Sequence, residues 1–298
     1  MQVGMTLPVM EPDLWDDGAT TLEEWSRAVD EGPFGTLCFG ERIAFDNPET
    51  LTLLGAVAAW TSRVQLATTV VVPQLHDPVL LAKSLATGDR LCAGRLTVGL
   101  GVGGREEDYR VVGADLAGQT MREMAERAAV LRTVWSGSTV AGASRPIGPP
   151  PARPGGPDLL VGTMGPRTIR SAAAWADGLA GVTLDVDPGG VRRLFDVAES
   201  AWAEAGRGQP RLTTSFWFAL DDGDGSARAQ VHRHLRHYMS WLPADLVDAM
   251  APTTGFAGTP AQLRDTLRRF EDVGTDEVHL IPTGSDVAQV EAVAELLR

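Results

Sequence analysis

Cysteine is nearly absent: only Cys38 and Cys92 occur in 298 residues. Each falls within or beside an apolar segment, so a disulfide framework is not indicated. Buried thiols in a reducing cytoplasm are expected instead. No apolar run reaches about 18 residues, which argues against a membrane span. The opening MQVGMTLPVMEPD lacks the basic and apolar regions of a secretory signal. Basic charge is also scarce, with 26 Lys and Arg against 39 Asp and Glu and a formal charge of −13. Binding nucleic acid requires a basic face to neutralise phosphates, so no nucleic-acid partner is expected. Neither a G-x-S-x-G elbow nor a Walker A loop occurs, and those hydrolase and NTPase classes lose support. His232, His234 and His237 lie close in sequence, but metal ligands on one helix face want a separation of four. These are two, three and five apart. No metal site is expected, and the segment suits a solvated basic face shared with Arg228, Arg233 and Arg236.

What the chain does contain is organised around Val64 to Leu116. A β-branched apolar run, Val64 to Val72, is too short and too rich in Val and Thr for a helix. Asp77-Pro78 is a helix start, an N-cap acceptor followed by Pro at the first helical position. The helix carries Leu80, Leu81, Leu85 and Leu91 and stops at Ala93-Gly94. A second apolar run, Leu96 to Leu100, ends in the glycine cluster Gly99, Gly101, Gly103 and Gly104. Two strands joined by a helix make a βαβ unit with a right-handed crossover.

Strand-like runs begin near residues 3, 35, 64, 96, 159, 178, 212 and 277, nearly all followed by a helix. Most are continuous rather than alternating, as parallel strands covered on both faces require. Thr21-Leu-Glu-Glu24 forms a capping box for one helix, and Asn47-Pro48 caps another that runs through Trp60. Eight such units predict a (β/α)₈ TIM barrel of 1–298, with insertions after the fourth and seventh strands. A doubly wound open sheet is the alternative. The Pro/Gly-rich stretch Ala141 to Pro157 suits a surface loop or, failing that, an interdomain linker.

Two glycine-rich strand ends are candidate sites. Gly99, Gly101 and Gly104 spell G-x-G-x-x-G, but the motif should open a helix. Here it runs into Arg105-Glu-Glu-Asp-Tyr109, which has no apolar helical face. A phosphate or ring contact at a barrel mouth, or a plain tight loop, fits better. The second site, LLVGTMGP at Leu159 to Pro166, delivers Gly162, Thr163, Met164 and Gly165 to a helix start. Free amides there would suit an anion, although an ordinary turn is the bland alternative. Glu41-Arg42 closes the second strand, where it could bind substrate, transfer a proton, or form a partly solvated ion pair. His76 and His279 stand alone near strand ends. Thr68 and Thr69 interrupt the third strand with hydroxyls.

Three stretches resemble the bacterial luciferase-like superfamily of flavin- and deazaflavin-dependent oxidoreductases. They are TSRVQLATTVVVPQLHDPVLLAKSLATGDRLCAGRLTVGLGVGGREEDYRVVG, DLLVGTMGPRTIRSAAAWADGLAG and GFAGTPAQLRDTLRRFEDVGTDEVHL. The most specific pieces are Gly94-Arg95-Leu96 leading to Gly99, Gly101 and Gly103, and Gly165-Pro166 leading to Ala176-Asp177-Gly178. The resemblance implies a single TIM-barrel domain holding FMN or coenzyme F420 at its C-terminal mouth. It implies a bulge, often with a non-prolyl cis peptide, at Thr69-Val70 behind the ring. Phosphate contacts would fall on Gly101, Val102 and Gly103, and on Gly162, Thr163, Met164 and Gly165. Bacterial luciferases carry Arg at the place of Val102, and many members have a carboxylate–His pair where this chain has Glu41-Arg42. Arg cannot release a proton near neutral pH, so it could only hold negative charge. The uncharged Val102, with the Ala/Gly/Arg-heavy composition typical of actinobacterial members, favours F420, with FMN as the alternative. The expectation is therefore a cytoplasmic, F420H2-dependent hydride transfer to a small organic substrate, with Glu41 as proton donor and a homodimeric assembly. The alternatives are an FMNH2- and O2-dependent monooxygenase and a non-catalytic flavin-binding protein.

Overall fold

The eight apolar runs all become strands, and they close on themselves. A computed structural model describes residues 1–298. In chain order the first half contains β1 (Gln2–Thr6), α1 (Thr20–Glu31), β2 (Thr36–Phe39), α2 (Thr50–Trp60) and β3 (Gln65–Val71). It continues with α3 (Pro78–Leu91), β4 (Leu96–Leu100), α4 (Glu106–Val111), α5 (Met121–Trp135), β5 (Asp158–Val161) and α6 (Pro166–Ala172). Then come β6 (Gly178–Ala180), α7 (Pro188–Glu204), β7 (Arg211–Leu220), α8 (Ser226–Tyr238) and α9 (Ala244–Met250). The chain ends with β8 (Phe256–Gly258), α10 (Pro260–Asp272), β9 (Glu277–Pro282) and α11 (Ala288–Leu297).

All pairings are parallel, and the ring runs β1-β2-β3-β4-β5-β6-β7-β9 before returning to β1. This is a TIM barrel, and the open-sheet alternative falls because β6 pairs with β7 and β9 with β1. One three-residue strand, β8, was not anticipated; it pairs only with Phe218–Leu220 of β7 and lies outside the ring. A core of 56 buried residues runs from Val3 to Leu296, and a satellite cluster of eight joins α8 and α9 to Trp217 and Ala219. No helix is long and apolar enough to cross a membrane.

Local expectations met mixed outcomes. Asp77 caps α3 as expected, accepting from the Val79 and Leu80 amides with Pro78 at the first turn. On that helix Leu81 and Leu85 are buried with Ala82 and Ala86, while Leu80 and Leu91 face outward. The cap of α2 is Glu49, not Asn47, whose amide is spent on Pro48 O. Helix α1 starts one residue before Thr21 and has no side-chain cap, so the capping box is not formed. Arg105 to Tyr109 does enter a helix, the short α4, because Asp108 and Tyr109 both find buried partners. After α8 the insertion that follows the seventh strand contains a second short helix, α9. Residues 141–157 form a loop without helix or strand, held against α3 by Lys83 to Gly148 O and Arg90 to Pro150 O and at the start of β4 by Arg153 to Leu96 O.

Candidate active site

The C-terminal ends of β1, β2, β3, β7 and β9 enclose a cavity of about 70 Å³. Thr6, Gly40, Thr69, Trp217 and Ile281 line it from the barrel, and His234 and Tyr238 from α8. The β3–β4 register shifts between Thr68 and Val71, and the Thr69–Val70 peptide is cis. Thr69 faces the cavity, while Val70 fills a hollow left by three glycines. A Cβ at Gly101 would lie 2.7 Å from Val70 Cγ2, and one at Gly162 would lie 2.6 Å from Val70 Cγ1. A Cβ at Gly99 would strike Thr68 O. These three glycines are thus demanded by the protein's own packing.

The two glycine-bearing loops meet at this rim. The Gly162 amide donates to Leu100 O at 2.7 Å, stitching the β5 loop to the end of β4. Tyr109 Oη donates to Val102 O at 2.7 Å, and Gln119 Nε2 donates to Gly103 O at 3.0 Å. In a trans peptide the N–H points opposite to its C=O, so fixing these two carbonyls turns the Gly103 and Gly104 amides away from Tyr109 and Gln119. The amides of Val102, Gly103, Gly104, Thr163 and Met164 donate to no protein acceptor. That of Gly165 is taken by Thr163 Oγ1 at 3.0 Å. Burial pushes the Tyr109 phenol up to about 12, so it stays a donor across the physiological range. Beside Met164 an open cleft of about 820 Å³ runs between the loops after β5 and β6 and α9, with Arg170, Asp185 and Arg193 on its walls.

Glu41 and Arg42 part company instead of pairing. The Glu41 carboxylate is buried, accepting from Val72 N–H at 2.8 Å and lying 2.7 Å from His76 Nε2. His76 therefore has a partner 35 residues away that no spacing rule would reveal. Arg42 turns toward α8: it donates to Tyr238 O at 3.2 Å and stacks on Phe45 at 3.8 Å. Arg105 stacks on Trp241 at 3.8 Å, and both guanidiniums lie within 6 Å of the Tyr238 ring. Burial, and then the charge of Arg105, lower Arg42 to about 10, which still leaves it a cation at neutral pH. Neither Arg42 nor Arg105 has a carboxylate within 4 Å, the reach of an ion pair.

The histidines of α8 do not form a solvated basic face. The buried stripe of this helix is Ala227, Val231, His234 and Leu235. His234 points inward, with Nδ1 2.5 Å from Glu11 Oε1. His232 pairs with Asp248 on α9, and Arg228 caps the carbonyls of Ala251, Thr254 and Gly255. No group of three or more His, Cys, Asp or Glu side chains could hold a metal ion. His279 lies inside the barrel 3.3 Å from Glu277, two residues before the cavity-lining Ile281.

Comparison with known proteins fits this geometry. The luciferase-like monooxygenase family model matches residues 1–277. The chain belongs to the luciferase-like monooxygenase family. It is 30% identical over 179 residues to the phthiodiolone/phenolphthiodiolone dimycocerosates ketoreductase of Mycobacterium tuberculosis, covering 56% of this chain and 46% of that one. The chain spans about half the length of the curated relatives it matches. Two solved structures share the fold. Monooxygenase RslO1 from Streptomyces bottropensis matches with a TM-score of 0.79 and 22% identity, covering 100% of this chain and 97% of that one. An F420-dependent secondary alcohol dehydrogenase, in complex with an F420-acetone adduct, matches with a TM-score of 0.79 and 18% identity, covering 100% and 99%.

Proposed function

We propose that this luciferase-like barrel binds the phosphate of a flavin-type ring cofactor on its two glycine loops and reduces a small carbonyl compound. The observation that carries the reading is the pair of neighbouring loops whose five amides, at Val102, Gly103, Gly104, Thr163 and Met164, have no acceptor in the protein. A phosphate supplies several acceptor oxygens at once, and backbone amides can hold it without a cationic side chain. Thr69 and Val70 lie between these loops and the mouth cavity, which is where a ring attached to that phosphate would rest.

The chemistry of the cofactor is hydride transfer when it is reduced F420, our preferred choice. The protein contributes orientation, amides and a dry wall. The uncharged Val102 and the ketoreductase among the sequence relatives support carbonyl reduction with F420H2. FMN is the second reading, favoured by the Baeyer-Villiger monooxygenase in complex with FMN among the structures that share the fold. Glu41 is a weaker proton donor than its position at a strand end suggested, since Val72 and His76 already occupy both carboxylate oxygens.

A fluorescence titration of the apo protein with FMN and with F420, each oxidised and reduced, tests the choice. Saturable binding of F420 and weaker binding of FMN is expected. Tight FMN binding with no F420 response would reverse the cofactor, and no response to either would remove the proposed function.

A further inference from the structure

His234 is one of the residues that line the mouth cavity, and it holds one hydrogen-bonding atom that the protein leaves unused. Its side chain and that of Glu11 are 1% and 7% exposed, and they approach to 2.5 Å across 223 residues of sequence. Glu11 comes from the loop after β1 and His234 from the buried stripe of α8, so the contact is made only in the closed barrel. The imidazole stacks on Tyr238 at 5.7 Å with an interplanar angle of 11°, and Trp217 lies 6.2 Å away. It is held at Nδ1 and on its ring face. Its Nε2 is buried and bonded to no protein atom. A carboxylate on Nδ1 fixes the proton there and leaves Nε2 as the atom that can exchange one. Burying such an atom unpartnered is costly unless a ligand uses it.

We propose that His234 is the proton donor of this site, positioned by Glu11, and that the group it serves is the oxygen of a ketone or aldehyde. This rests on the carbonyl-reductase reading above. In the imidazolium form Nδ1–H bonds to Glu11 and Nε2–H is the proton left without a protein acceptor. The carbonyl carbon accepts a hydride from the reduced deazaflavin or flavin ring, the C=O π pair moves onto oxygen, and that oxygen takes the Nε2 proton. The N–H bonding pair stays on nitrogen, the carbonyl becomes an alcohol, and the ring is left oxidised. In reverse, Nε2 accepts the hydroxyl proton. The cavity of about 70 Å³ admits a carbonyl and its immediate neighbours, not a whole large substrate; a single water occupies about 30 Å³ of liquid. The bulk of any larger substrate therefore lies outside it.

The test uses the full chain labelled with ¹⁵N-histidine and carrying oxidised F420 or FMN, titrated with acetone as the probe. The other four histidines, His76, His232, His237 and His279, serve as internal controls. The Nε2 resonance of His234 alone is expected to move, saturably, with Nδ1 remaining hydrogen-bonded. With the reduced cofactor and a panel of small ketones, His234→Gln is expected to lower kcat at least 100-fold, the usual worth of a general acid. Oxidised-cofactor affinity should stay within threefold. Glu11→Gln should lower kcat about tenfold with little change in KM, and Glu11→Asp should recover part of it. An Nε2 that acetone leaves unmoved, or a His234→Gln kcat within threefold of wild type, overturns the proposal while leaving cofactor binding intact. A wild-type protein that binds neither ring cofactor removes the functional reading itself, and this inference with it.

Discussion

Val70 occupies the space that a side chain at Gly162 would need: a Cβ there would sit 2.6 Å from Val70 Cγ1. The barrel's third strand and the loop after its fifth are thus packed backbone against side chain. Gly162→Ala is expected to destabilise the protein by about 1–3 kcal/mol through overpacking. Val70→Ala should relieve most of that cost in the double variant. A double-mutant cycle by urea denaturation checks it, and simple additivity would show that the two residues are not coupled.

Tyr109 should matter to binding as well as stability. Tyr109→Phe frees the Val102 carbonyl and lets the following peptide rotate, so the Gly103 amide loses its fixed direction. Affinity for the ring cofactor is expected to fall about five- to tenfold, with a stability loss of about 1–2 kcal/mol for the orphaned carbonyl. Parallel fluorescence titration and thermal melts separate the two effects. A variant that melts early but binds as wild type would rule out the orienting role.

The barrel interior carries a pH signature. Burial alone would raise Glu277, but its contacts with His279, Thr36 and Arg211 hold it at about 2, below the ordinary 4.5. Burial alone would lower His279, but Cys38 and Glu277 raise it to about 10 from 6.5. Glu277 therefore contributes stability that is complete above about 4.5 and lost as the pH falls through about 2. His279 contributes stability that is complete below about 6.5 and lost as the pH rises through about 10. Urea midpoints should decline on the alkaline side between those last two values. The Glu277→Gln/His279→Gln double variant should flatten that decline; an unchanged alkaline limb would assign it to other groups.

Arg42 is buried without a carboxylate partner and rests instead on Phe45 and the Tyr238 carbonyl. Removing such a charge forfeits a cation–π contact but also its desolvation cost. Arg42→Met is expected to stay within about 1 kcal/mol of wild type in urea denaturation. A loss of about 3 kcal/mol or more would mean that Arg42 stabilises the fold through contacts not seen here.

The eight barrel strands were legible because parallel strands buried on both faces leave largely continuous apolar runs, as at Leu159 to Val161 and Phe216 to Leu220. The three residues of β8 leave no such run. Asp77-Pro78 announced its helix, whereas Asn47-Pro48 misled by two residues because Glu49 offers a carboxylate to the Leu51 and Thr52 amides. His234 was missed because the α8 histidines were judged by ligand spacing. The spacing Ala227, Val231, His234, Leu235 places it, and not His232 or His237, on the buried face. Glu41–His76 and Glu11–His234 could not be anticipated, since each joins segments that only barrel closure brings together.

The loop 141–157 is gripped from the body of the protein mostly through its main-chain oxygens, at Gly148, Pro150 and Gly155. Every amino acid supplies such an oxygen. The identity of many side chains in this stretch is therefore free to drift while Lys83, Arg90 and Arg132 keep their hold, and a tag or label inserted among them should leave the opposite rim undisturbed.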